Sequence, residues 1–213
     1  MDKIVWVFTF NKSYRGLAVM FPELIYLPWV YMKKNFINSC LDFSQWVFQF
    51  AEGACASLHM WPGTEAYLTN LLVEMSKRMP LYRINLKVLL NEINLLNPKV
   101  YRDRDFASAL KGKFTSLYYS IKSMVDCLIG FFIPTLSRHS VVFELPNHLP
   151  KLHRTFVIFL TVLEPYMYRA SLTPAQLALE PELVIIIDEG LEAFSKHTYG
   201  YNETTGALDR LLA

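Results

Sequence analysis

The chain has 213 residues, a length that suits one domain or two small lobes. Hydrophobic residues make up 53% of it and charged residues 19%, which excludes an intrinsically disordered chain. The net charge of +2 hides an uneven distribution, because residues 77–154 carry 13 basic against 5 acidic side chains, whereas residues 155–213 carry 3 against 8. We therefore expect the middle of the chain to bind a polyanion or to face the acidic C-terminal part.

Residues 1–34 form the most apolar part of the chain. Residues 3–10 are β-branched and aromatic, which predicts a short strand or an extended arm. The run 17–32 is shorter than the ~20 residues of a membrane-spanning helix, and Pro22 and Pro28 interrupt it, so we predict neither a transmembrane span nor one continuous helix. We interpret residues 1–34 as a hydrophobic N-terminal arm or packing segment. It lies either on its own core or on a neighbouring copy.

Residues 35–213 are predicted to form a helical domain. Apolar residues recur at helical spacing over 35–60, 64–78 and 83–96, and then over 105–132, which we take as the central helix. In that segment Phe114, Leu117, Ile121, Met124 and Leu128 are three or four residues apart and share one face.

The last third of the chain continues this pattern. Residues 141–145 resemble a short strand that would pair with residues 3–10 as a minor ribbon. A helix over 150–163 is expected to end at Glu164-Pro165, and Thr173 with Gln176 forms a capping box. Pro181 is expected to start a helix, and 206–212 a last one. The predicted fold class is all-α: a compact bundle of about eight helices, or two small lobes, with at most a minor β ribbon near the N-terminus.

The motifs give no reason to predict catalysis, a cofactor or a metal. None of the five histidines lies in an HExxH-type pattern, and no glycine-rich phosphate loop is present. Cys40, Cys55 and Cys127 lack metal-ligand spacing, which predicts reduced core thiols in an intracellular, most simply cytoplasmic, protein. We therefore predict a non-enzymatic protein.

The basic middle of the chain, residues 77–154, is the feature that indicates a function. Lysines and arginines recur there beside aromatic residues, a combination that suits phosphates and stacked bases of single-stranded nucleic acid, RNA in particular. The predicted surface consists of Arg83, Lys87, Lys99, Arg102, Arg104, Lys111, Lys113, Lys122, Lys151 and Arg154. The leading hypothesis is a nucleoprotein-like assembly protein that self-associates through residues 1–34. The alternative is a structural or adaptor subunit of a larger, membrane-peripheral complex that docks through residues 17–34.

Overall fold

The computed structural model of the chain describes residues 3–10, 12–31, 33–39, 41–131 and 133–188, and two short strands beyond them. A parallel sheet of four strands forms its centre, in the order β2-β3-β1-β4. The strands are β1 (Lys3–Thr9), β2 (Ile25–Pro28), β3 (Val141–Glu144) and β4 (Glu182–Ile187). The two remaining strands, β5 (His197–Tyr199) and β6 (Asn202–Thr204), pair with each other in antiparallel fashion.

The fold is thus mixed α/β, and the prediction of an all-α helical bundle is wrong. The expected pairing between the N-terminal strand and residues 141–145 is present, with Trp6 opposite Val141 and Phe8 opposite Phe143, but it is parallel and belongs to a larger sheet. Both strands are buried on both faces, so their sequences lack the alternation that marks a half-exposed strand. A short apolar run of this kind cannot be distinguished from a buried helix by periodicity.

The helix predicted from Pro181 is also wrong, because β4 occupies this position and pairs with β1 from Glu182 to Ile187. The run Leu-Val-Ile-Ile-Ile is rich in β-branched side chains, which favour a strand. The helical spacing inferred there depended on residues 191 and 194, which lie outside the described residues. The helix predicted at 206–212 also lies outside them.

The described parts of the chain contain eight α-helices besides the sheet. Their bounds are α1 (Arg15–Met20), α2 (Phe43–Ser57), α3 (Thr64–Arg78), α4 (Leu86–Leu95), α5 (Tyr101–Val125), α6 (Ile133–Leu136), α7 (Lys151–Ala170) and α8 (Pro174–Leu177). Single 3-10 turns cover Lys12–Tyr14, Trp29–Tyr31 and Leu81–Arg83. Helices α2 to α6 fill the long connection between β2 and β3, and α7 and α8 connect β3 to β4. Within this layer α2 packs on α3 and α7, and α4 packs on α5.

Several helices follow the sequence closely. Helix α3 has the predicted bounds, and the capping box of Thr173 and Gln176 starts α8. The central helix α5 buries Leu110, Phe114 and Ile121 as predicted, although it begins at Tyr101 and ends at Val125. The predicted end of the next helix is wrong, because α7 continues through Glu164 and Pro165 to Ala170.

A buried polar joint fastens the N-terminal third to the helical layer. The Nζ atom of Lys34 lies 2.7 Å from Oε2 of Glu164 in α7, with both side chains at most 3% exposed. Ser39 donates a hydrogen bond of 2.9 Å to Oε1 of the same carboxylate. Asn35 donates from its amide to the carbonyls of Ile84 and Leu128. We call Lys34, Asn35, Ser39 and Glu164 the buried joint.

Candidate functional site at the carboxyl edge of the sheet

The strand order defines a switch point between β1 and β3. The chain leaves the carboxyl end of β1 towards β2 on one side of the sheet, and it leaves β3 towards β4 on the other side. In open parallel sheets, ligands bind in the crevice outside the carboxyl ends of the strands at such a point. The side chains that follow β1 and β3 are therefore the candidates for a ligand site.

An arginine from the first connection and a glutamate from β3 meet at this edge. Nε and Nη2 of Arg15 donate to the two carboxylate oxygens of Glu144, at 2.8 and 2.6 Å. The pairing is bidentate, and the hydroxyl of Tyr26 lies 3.3 Å from Nε of Arg15. The hydrogen bonds to Glu144 raise the pKa of Arg15 further above its ordinary value. The arginine side chain is 51% exposed, so the guanidinium remains accessible from solvent.

A second arginine, Arg154 in the first turn of α7, lies at the same edge of the sheet. The guanidinium of Arg154 lies 4.4 Å from the centre of the Phe10 ring, directly after β1, which is within cation-π distance. Its nitrogens also donate to the carbonyls of Asn147 and Leu149, at 2.6 and 2.8 Å. Arg154 thereby holds the connection between β3 and α7. Lys12 lies in the exposed turn between Phe10 and Arg15. We call Lys12, Arg15, Glu144 and Arg154 the edge cluster.

On the other side of β1, the edge is polar but contains no described cation. The hydroxyl of Thr9 donates a hydrogen bond of 3.1 Å to Oδ2 of Asp188, which follows β4. The backbone amide of Asp188 donates to the carbonyl of Phe8 and continues the pairing of the strands. The basic character is therefore concentrated at the β1/β3 side, where the strand order switches.

The predicted cations of α5 do not share one side of that helix. At about 100° per residue, Arg102 and Lys113 project within roughly 20° of each other. Arg104, Lys111 and Lys122 project from about the opposite direction, and the buried stripe lies between the two sets. Arg102 lies 5.4 Å from the ring of Phe106, and Arg104 donates to the carbonyl of Pro98. Helix α5 therefore presents two smaller basic sides.

The other predicted cations are spread further. Arg83 stacks on Tyr82 in the turn before α4, Lys87 is exposed in the first turn of α4, and Lys99 is exposed before α5. Lys151 begins α7, one turn before Arg154, and thus lies closest in sequence to the edge cluster. Nucleic-acid binding through the full set stays a prediction, for which the test is the salt dependence of the affinity for single-stranded RNA.

Two shallow clefts lie on the helical layer. The first, of about 480 Å³, lies between α2 and α3 and includes Glu52, Cys55 and Glu65. The second, of about 650 Å³, lies between the 61–62 turn and the start of α5 and includes Arg102 and Asp105. Neither brings two of the predicted cations together.

The thiols and histidines of the described residues form no reactive cluster. Burial raises the pKa of Cys55 and of Cys127, which disfavours the reactive thiolate. Within the described ranges no group of histidine, cysteine and acidic side chains could hold a metal ion.

No described helix is both long enough and apolar enough to cross a membrane.

The apolar N-terminal segment is folded but poorly covered. None of the residues of α1 is buried, although four of its six residues carry an apolar side chain. Exposed apolar side chains continue along the segment, past the edge strand β2, into the turn that follows it. They are Val19, Met20, Phe21, Val30 and Tyr31, which we call the apolar edge.

The sequence analysis missed Lys12 and Arg15. Their segment is close to neutral when charges are counted over residues 1–76, so charge counting gave no signal. The contact of Arg15 with Glu144 depends on the pairing of β1 with β3, which joins residues more than 130 positions apart. The sequence nonetheless indicated this site in another way, because Lys12 and Arg15 closely follow the predicted strand over residues 3–10.

No known protein-family model matches this sequence, and no curated protein is significantly similar to it.

Proposed function

We propose that the protein binds a small phosphate-bearing ligand, of the nucleotide class, at the edge cluster. The observation that supports this proposal is the convergence of Arg15 and Arg154 on the carboxyl ends of β1 and β3, where the strand order switches. The Nε and Nη2 groups of Arg15 already bind Glu144, and those of Arg154 bind backbone carbonyls, so the two guanidinium groups would contribute positive charge. Lys12 adds an exposed ammonium in the intervening turn. The proposal concerns binding and includes no reaction step.

The local chain order supports the same ligand class by analogy. In phosphate-binding loops a lysine followed by serine or threonine lies between a strand and a helix, as Lys12 and Ser13 do between β1 and α1. The analogy is incomplete, because residues 9–15 contain no glycine and the backbone cannot form the usual cradle of amides. Phe10, which is buried under Arg154, fills part of the space. A phosphate would therefore be held by side chains.

The test is calorimetric titration of the full chain with nucleoside mono-, di- and triphosphates and with inorganic phosphate. Lys12→Ala is expected to weaken binding about tenfold or more, since a hydrogen bond to a charged group contributes about 1.5–3 kcal/mol. Lys77→Ala, at an exposed lysine of α3 outside the predicted basic surface, is the matched control and should leave the affinity unchanged. An equal loss of affinity in both variants would mean that binding depends only on the net charge of the protein, which contradicts a specific site. Absence of binding in the wild type would also refute the proposal.

A second candidate function, docking to another protein chain, is favoured by the apolar edge. Exposed apolar side chains clustered on one folded segment are characteristic of interaction surfaces. Tyr31 and Val19 are each 84% exposed. A photo-crosslinking amino acid in place of Tyr31 is expected to give one discrete protein adduct in the cells that make the protein. The same group in place of Tyr119, an exposed tyrosine on α5, is the control. Adducts of equal yield at both positions would contradict a specific surface.

A further inference from the structure

The strand at the apolar edge is unpaired on its outer side among the described residues. Strand β2 is an edge strand, and the amide of Ile25 donates to the carbonyl of Ser140 on the inner side. Because backbone groups alternate along a strand, Tyr26 and Pro28 direct theirs outward. Proline has no N–H, so the outer side offers the single amide donor of Tyr26. Side chains would therefore have to supply most of any contact there.

The exposed side chains supply an area close to what one partner contributes to a stable interface. The apolar edge has two side chains at 84% exposure and three between 41% and 71%. With full side-chain areas of about 150–200 Å² each, the exposed part amounts to roughly 600 Å². A standard interface buries about 800 Å² per partner, so little further surface is needed.

The charges around β2 specify which surface would be complementary. Between Gly16 and Met32 the sequence contains one charged residue, Glu23, which is exposed just before β2. Lys33, also exposed, follows the turn after β2, and its ammonium lies 3.2 Å from the carbonyl of Asp126. Arg15 also reaches β2 at Tyr26, but its charge is paired with Glu144, so the remaining charges are negative before β2 and positive after it. A copy of the same segment in antiparallel orientation presents the opposite charge at each end, whereas a parallel copy presents like charges.

We propose that the apolar edge binds a second copy of this chain about a two-fold axis, with the two β2 strands antiparallel. Each Glu23 then faces Lys33 of the other copy, and the apolar side chains of both copies cover each other. This inference rests on the proposal that the apolar edge is a docking surface, and it identifies the occupant. A two-fold contact is closed, so the assembly stops at a dimer.

Sedimentation equilibrium of the full chain between about 1 and 100 µM tests the dimer, a range that covers interfaces of moderate affinity. The mass is expected to rise from that of the monomer to twice that value. Tyr31→Ala should weaken the dimer about tenfold or more, as expected for a largely exposed aromatic side chain that the second copy would cover. Trp61→Ala removes a comparably exposed aromatic side chain from the helical layer and should leave the mass unchanged.

Charge reversal tests the antiparallel arrangement. Glu23→Lys places two lysines together at both ends of the interface, and Lys33→Glu places two glutamates together. Each variant alone is expected to dimerise about tenfold more weakly, because two exposed ion pairs are replaced by two repulsive contacts. An equimolar mixture of the two variants restores both attractive pairs and should recover the wild-type affinity. A mixture that associates no better than its components would overturn the arrangement.

The outcomes also separate this inference from the docking proposal. A wild-type chain that remains monomeric at about 100 µM refutes the dimer, since that concentration exceeds ordinary dissociation constants of specific dimers. If the Tyr31 crosslink then identifies a different protein, the apolar edge is a docking surface with another occupant. If mass spectrometry identifies no discrete adduct, both proposals fail.

Discussion

The buried joint and the edge cluster are both polar groups that connect the N-terminal third to distant parts of the chain, but they differ in their access to water. Lys34 and Glu164 of the buried joint are at most 3% exposed, and Ser39 contributes another bond to the carboxylate. Arg15 of the edge cluster is half exposed, with a comparable ion-pair distance of 2.6 Å. Geometry alone would rank the two pairs as equivalent. Because the Lys34–Glu164 pair is buried, we expect it to contribute to stability. Arg15 is half exposed, so it remains accessible to a ligand.

Removal of one partner should separate the two pairs most clearly. Lys34→Met leaves the carboxylate of Glu164 buried without its cation, and we expect a loss of about 3–5 kcal/mol in the free energy of unfolding. Glu144→Gln leaves behind the guanidinium of Arg15, which is 51% exposed and can be hydrated, so the expected cost is about 1 kcal/mol or less. Urea unfolding at neutral pH measures both.

The double variant Lys34→Met, Glu164→Leu provides the control for this prediction. It removes both charges, so we expect it to be less destabilised than Lys34→Met alone. If Lys34→Met cost no more than Glu144→Gln, the contrast between the two regions would be refuted.

This contrast also explains what could be read from the sequence. Helix α3 and the capping box of Thr173 follow from neighbours in the chain, and both were predicted. The sheet depends on pairings such as Val5 with Val184, for which no local pattern exists. Strands β1 and β3 are buried on both faces, so the periodic signal that distinguishes a strand was absent.

The candidate site shows the same limit. Lys151 and Arg154 were predicted as phosphate-binding residues from charge, but Lys12 and Arg15, which follow β1 at the same edge of the sheet, come from the N-terminal part of the chain. The Lys34–Glu164 pair joins residues 130 positions apart, and neither is distinguished by its local sequence. Long-range contacts decide which charged residues are buried, and a single sequence does not provide them.

Two glycines offer a smaller test of how tightly the buried joint is packed. A Cβ atom at Gly130 would lie 2.5 Å from Cα of Lys34 and 2.9 Å from the amide nitrogen of Asn35. That backbone is fixed by hydrogen bonds on both sides, including one of 2.8 Å from the amide of Lys34 to Met124. Gly130→Ala is therefore expected to cost about 1–3 kcal/mol.

Gly112 is the matched control, because a Cβ atom there meets nothing within 4 Å on the exposed side of α5. Gly112→Ala should stabilise the helix by about 0.5–1 kcal/mol. The two substitutions are chemically identical and should shift the urea midpoint in opposite directions. A shift in the same direction would indicate that the backbone around Lys34 yields easily.

The smallest expected effect concerns His153, a buried polar group without the partners that the buried joint has. Its Nδ1 atom has no hydrogen-bond partner, and burial, followed by the charge of Lys113, lowers its pKa below the usual 6.5. The unfolded chain therefore binds this proton more readily than the folded protein. The stability contribution of neutral His153 is complete above about pH 6.5 and is lost as the pH falls from there towards the lower pKa of the folded state. Urea midpoints measured across this range should show a decline that His153→Gln reduces and that His148→Gln, at an exposed position, leaves in place. An equal decline in all three proteins would assign the acid sensitivity to other groups, and burial without a partner would then have no measurable cost at this site.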